Sequence, residues 1–144
     1  MSVSPASFAA TAFLWLATLL AAGTAVAEDP KIAYWLHCAG CHGLEGKGAP
    51  PEVPTLVDVP GAIAALPGGR EYLVRVPGVS LAPLSDDRLA EVVNYMLTRF
   101  STAALAADFE PYTPGEIARF RSAPLDDPLR TRRELLAAAG RPNL

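Results

Sequence analysis

Apolar residues recur at three- and four-residue intervals over one long stretch: Leu89, Val93, Met96, Leu97 and Phe100 share a face if residues 86–100 are helical. Ser85 stands at the N-cap, and Asp86 and Asp87 fill a first turn where the helix dipole favours acids. Asp29-Pro30 offers a cap and a proline at the first helical position, so a short apolar helix carrying Tyr34 is predicted to run into Cys38. Ala62 to Leu66 predicts one helical turn, and Gly69 to Val76 a short helix ended by Pro77-Gly78. Thr113-Pro114-Gly115-Glu116 has the form of a capping box and starts a helix to about Arg121. Asp127-Pro128 starts the last one, running to Ala139 with Gly140 as its stop. Between these elements, residues 43–61 hold four prolines and four glycines and read as an irregular loop, as does 77–85. No strand-like alternation and no internal repeat is visible. The predicted fold class is all-α.

The first 27 residues follow a different rule. From Met1 to Ala27 there is no Asp, Glu, Lys or Arg, and the apolar run is densest from Phe8 to Ala22. Ala25-x-Ala27 supplies the small residues of a cleavage site, and Glu28-Asp29 restores polarity, so 1–27 reads as a secretory signal peptide. The alternative is an uncleaved anchor, since Ala6 to Ala27 is uncharged over 22 residues. Either reading delivers residues 28–144 outside the cytoplasm, and only the second involves a membrane. The remainder divides into a helical domain, 28–100, and a helical extension, 101–144.

Composition narrows the function. The chain has 144 residues, 51% hydrophobic and 19% charged, with a net charge of −3, too apolar for a disordered chain. Fifteen acids against twelve bases leave no positive excess for nucleic acid. Fourteen prolines and eleven glycines argue against one long coiled coil.

The two cysteines carry the chemistry. Cys38-Ala39-Gly40-Cys41-His42 is C-x-x-C-H, the attachment signature of c-type haem. Cysteines three apart at the end of a helix can reach two vinyl groups of one porphyrin, and the adjacent imidazole is then placed under the iron. A dithiol redox motif needs a βαβ context that the helix and Pro/Gly loop do not provide. A zinc site needs four ligands, and only His37 remains after Cys38, Cys41 and His42. A disulfide at this spacing would close a tiny loop with little entropic gain. One covalent haem c per chain is therefore expected.

From Pro30 to Phe100 the sequence resembles the small single-haem cytochromes c of the bacterial periplasm, the mainly helical class I type. The resemblance rests on Tyr34, four residues before Cys38; on Cys38 to Gly43; on Gly46-Lys47-Gly48; on Pro54-Thr55-Leu56; and on residues 84–97. It implies a cytochrome c-like helical domain around the haem, with Cys38 and Cys41 as thioether attachments and His42 as proximal iron ligand. It also implies aromatic packing of Tyr34 and Tyr95 where the first and last core helices cross. Pro54 matches the proline whose carbonyl accepts a hydrogen bond from the proximal histidine, the alternative being a plain loop proline. Arg70 and Arg75 are candidate partners for the haem propionates.

The chain departs from that family at one place. The loop before the last core helix usually supplies a methionine ligand, and PGVSLAPLS contains neither Met nor His. Met96, the only methionine after the leader, lies on the helix face of Leu89 and Val93 and reads as core, with iron ligation the alternative. The resemblance implies a periplasmic carrier passing single electrons between redox proteins, not an enzyme. An open iron would instead suit small-ligand binding or weak peroxidase activity. A third reading is a haem subunit of a larger oxidoreductase, docked through the extension. Residues 111–144 carry six Arg and four acids, and Arg119, Arg121, Arg130, Arg132 and Arg133 can meet an acidic partner, a propionate or only solvent.

Overall fold

The computed structural model describes residues 28–144 apart from 102 and 143. The leader lies outside the described residues. Eight helices and no strand occur among the described residues: α1 Pro30–His37, α2 Ala39–His42, α3 Val59–Ala64, α4 Gly69–Arg75, α5 Pro77–Ser80, α6 Asp86–Phe100, α7 Pro114–Arg121 and α8 Pro128–Ala138.

The helix starts follow local chemistry. Asp29 accepts from the Lys31 N–H, Ser85 from Arg88, Thr113 from Glu116 and Asp127 from Arg130, so each cap satisfies a main-chain donor that the helix leaves open. Two elements differ from the sequence reading. Helix α3 begins at Val59 instead of Ala62, and α5 forms inside the expected 77–85 loop. Both have a proline at the start, where the missing N–H has no helical partner to lose, so Pro60 and Pro77 open a helix instead of barring one.

Packing centres on α6. Leu89, Ala90, Val92, Val93, Met96, Leu97 and Phe100 are buried on it. Helix α1 crosses α6 through an aromatic cluster, with the Tyr34 ring 5.1 Å from Phe100 and 6.0 Å from Tyr95. The Tyr34 hydroxyl donates to Gly43 O at 2.7 Å, which ties the crossing to the end of α2. Burial, with the charges of Cys38 and Tyr95, pushes that hydroxyl's pKa up to about 12, so it stays a donor at neutral pH. Helices α3 and α4 touch so closely that a Cβ on Gly69 would lie 1.7 Å from Ile63 O.

The extension joins the same interior. Tyr112 and Ile117 are buried in the core cluster that contains Leu97 and Tyr34, and Phe120 packs against it. Asn94 on α6 pins the segment with two bonds, accepting from Tyr112 N at 2.7 Å and donating to Tyr112 O at 2.9 Å. Leu136 of α8 is buried against Ile63 and Tyr72 in a second cluster.

Candidate functional site

Helix α1 stops at Cys38, whose N–H donates to Tyr34 O at 2.8 Å. The chain winds again at once: the N–H groups of Cys41 and His42 both donate to Cys38 O, at 3.3 and 3.0 Å. One turn of this kind puts residues three apart on the same side, so both cysteines share a face. Gly43, at φ 73°, ends the turn. Neither cysteine is in a disulfide; Cys38 is half-buried and Cys41 exposed. Burial raises the pKa of Cys38, helped by the neighbouring Cys41.

His42 Nδ1 lies 3.1 Å from Pro54 O. A carbonyl only accepts, so Nδ1 carries the proton and Nε2 keeps its lone pair. Burial pulls the His42 pKa below its ordinary value, against the raising effect of the Pro54 bond, and the neutral form is the one that ligates a metal. The loop that delivers Pro54 is held closely. Gly48 N donates to His42 O at 2.9 Å, Ala49 and Val53 exchange main-chain bonds, and Leu56 N donates to Gly46 O at 2.7 Å. Gly48 has φ +64°, and a Cβ there would lie 2.4 Å from Val53 O and 2.7 Å from Pro54 O. Only glycine lets the loop close onto the carbonyl that receives the imidazole.

Two adjoining cavities of about 140 and 430 Å³ share Cys41, His42, Leu56, Val76, Val79 and Met96 in their walls. The smaller is completed by Cys38 and by Val92 and Val93 of α6, the larger by Pro54, Ile63, Tyr72 and, from the extension, Pro128, Leu129 and Arg132. Apolar walls, two thiols at the edge, a neutral imidazole with an open Nε2 and one half-buried guanidinium fit a flat, acid-bearing macrocycle such as haem. Haem c supplies a one-electron couple at iron when bound.

The structure thus brings Cys38, Cys41, His42, Pro54 and Met96 to one place. It does not bring Arg70 or Arg75 there. Arg70 grips Glu116 with two bonds of 2.8 and 2.7 Å, donates to Glu110 O and stacks over Tyr112, beside a separate surface depression. Arg75 pairs with Glu71 and donates to Ala123 O. Both proposed propionate partners are instead used to tie α4 to the extension or to itself. Arg121 has a role the sequence did not announce: it donates to the main-chain oxygens of Ser80, Ala82 and Leu84 and pairs with Asp86. These partners lie 35 to 41 residues away, beyond any local pattern.

Such a cleft, on a small all-α fold, defines a c-type cytochrome. No family model matches the chain. It is 33% identical over 128 residues to a cytochrome c-552 of Thermus thermophilus, covering 76% of this chain and 86% of that protein. A second Thermus thermophilus cytochrome c-552 is 33% identical over 117 residues, 69% of this chain and 88% of the relative. The chain belongs to the c-type cytochromes of the cytochrome c-552 family, and its cofactor is covalently bound haem c. Among the described residues no helix is long and apolar enough to cross a membrane.

Proposed function

We propose that this c-type cytochrome is a periplasmic single-electron carrier whose haem is bonded to Cys38 and Cys41 and whose iron is ligated by His42. The observation that carries the reading is the His42–Pro54 hydrogen bond beside two thiols in one apolar cleft. Each thiol adds across a vinyl group: a carbon–sulfur bond forms, the S–H hydrogen goes to the other vinyl carbon, and no electrons are left over. Pro54 holds the imidazole plane and the tautomer, and its bond makes Nε2 a stronger donor. The apolar walls would shield the faces of the macrocycle that they cover, which limits the reorganisation that accompanies electron exchange. Residues 28–100 form the haem domain and 101–144 the extension that closes over it. Export by the uncharged leader supports the periplasm, where the donor and acceptor would be other redox proteins.

The test is covalent colour. Expressed with a cytochrome c maturation system, the wild type is expected to give a haem-stained band after denaturing electrophoresis, and Cys38→Ala/Cys41→Ala none. A stained band from the double variant would refute the assignment.

A second reading concerns the iron's other side. Between Val76 and Leu84 the cavity walls are Val76, Gly78, Val79, Ala82 and Leu84, none of which offers a ligating side-chain atom. Met96, in the walls of both cavities, is also packed into the core cluster with Leu89, Val93 and Leu97 of α6. This favours an iron without a methionine ligand, open to small molecules. A methionine–iron charge-transfer band in the ferric spectrum would contradict it.

A further inference from the structure

Arg132 is the charged residue that the extension adds to the cleft beside Pro128 and Leu129, and its hydrogen bonds are incomplete. Nη2 donates to the main-chain oxygen of Leu144 at 3.0 Å, while Nε is buried with no acceptor among the described residues. Four arginines of the neighbouring elements are provided for: Arg70 by Glu116, Arg75 by Glu71, Arg121 by Asp86 and three carbonyls, Arg130 by Asp127. A guanidinium N–H sealed away from water without an acceptor is costly, and in native proteins such an orphan points to a missing partner. Here the orphan sits in the wall of the cavity that also holds His42 and Cys41.

The partner's chemistry follows from the surroundings. A cation attracts an anion; no Asp or Glu side chain pairs with Arg132 among the described residues, and the oxygen of Leu144, the last residue of the given sequence, occupies Nη2 and leaves Nε open. Tyr72, buried to 7% exposure, lines the same cavity, and the charge of Arg132 partly offsets the rise that burial imposes on its hydroxyl pKa. A donor hydroxyl beside a guanidinium makes a cradle for a carboxylate. Glu52, the carboxylate in this wall, is exposed. Haem brings two propionates into the cleft.

We propose that Arg132 is the counter-charge of a haem propionate, donating through Nε, so that α8 is fastened to the cofactor as well as to Ile63 and Tyr72. The extension is then held in part by haem, beside its own contacts with the core, and Arg132 is a positioning residue that also tunes the iron. The proposal rests on haem being attached as described above.

The test uses the intact holoprotein and compares Arg132→Gln, Arg132→Lys and Arg133→Gln, the last an exposed arginine on the same helix. A nearby positive charge favours the ferrous state, so Arg132→Gln is expected to lower the midpoint potential. At the wild-type midpoint the ferric-to-ferrous ratio should rise about tenfold, equivalent to 59 mV for one electron. Arg132→Lys should recover most of that shift, and Arg133→Gln should change the ratio less than twofold. Equal shifts in Arg132→Gln and Arg133→Gln, or none in either, would overturn the proposal while leaving the coloured protein intact. A colourless wild type would instead strike at the haem assignment itself. If Arg132→Gln does not accumulate, the wild type decides: a nuclear Overhauser contact between Arg132 Nε–H and the propionate methylene protons is expected, and its absence overturns the proposal.

Discussion

Two stretches of chain line the same cleft and were built by different means. Residues 37–56 present their chemistry in order along the sequence, with thiol, thiol, imidazole and carbonyl each fixed by neighbours no more than 12 residues away. Residues 76–84 present only apolar side chains, and their carbonyls are held from outside by Arg121 of α7. The first lining defines what binds; the second defines how much room is left around it. Under the proposed function, the iron's surroundings would then depend on a motif on one side and on a remote arginine on the other.

Breaking the first lining should have the largest effect. His42→Ala removes the imidazole without touching either thiol, and at least a tenfold fall in Soret absorbance per mole of purified protein is expected; an unchanged ferric spectrum would count against His42 as ligand. Loosening the second lining comes next. Arg121→Ala frees three partly buried carbonyls and Asp86, and should lower unfolding stability by about 3 kcal/mol, read from denaturant melts of the ferric holoprotein. Gly48→Ala returns to the first lining more gently. Its positive φ and the approach to Val53 O and Pro54 O should cost about 2 kcal/mol and perturb the His42 ring, visible as a shift in potential alongside the melt.

The smallest change belongs to a pair that touches neither lining. Arg70 holds the Glu116 carboxyl below its ordinary pKa, chiefly by direct hydrogen bonding. A depressed carboxylate pKa adds stability above the unfolded value, near pH 4.5, and loses it as pH falls through the folded value. Glu116→Gln should therefore cost about 1 kcal/mol at pH 7 and flatten the acid-side decline, with no change in the visible spectrum. A spectral change in that variant would mean that the cleft and the α4–α7 tie are coupled.

Much of the first lining could be read from the letters, because its parts are local. The caps at Asp29, Ser85, Thr113 and Asp127, the C-x-x-C-H spacing and Pro54 all act over a few residues or within one loop. The second lining could not. Pro77-Gly78 spells a loop until tertiary packing makes its proline a helix start. The arginines looked alike in sequence, and only distant partners separate Arg70, Arg75 and Arg121, which are satisfied, from Arg132, whose Nε is not. Basic residues near a haem motif invite a propionate role, but which one takes it is decided by where α8 lands.

The central proposal is that His42 is the iron's protein ligand and that residues 76–84, which line the cleft without a ligating side-chain atom, leave the sixth position open, with Met96 of the wall held in the core packing. Adding carbon monoxide to the dithionite-reduced protein tests this most directly. Immediate displacement of the Soret band is the predicted outcome, and a ferrous spectrum indifferent to the gas would mean that a side chain, with Met96 the first suspect, already fills the sixth position.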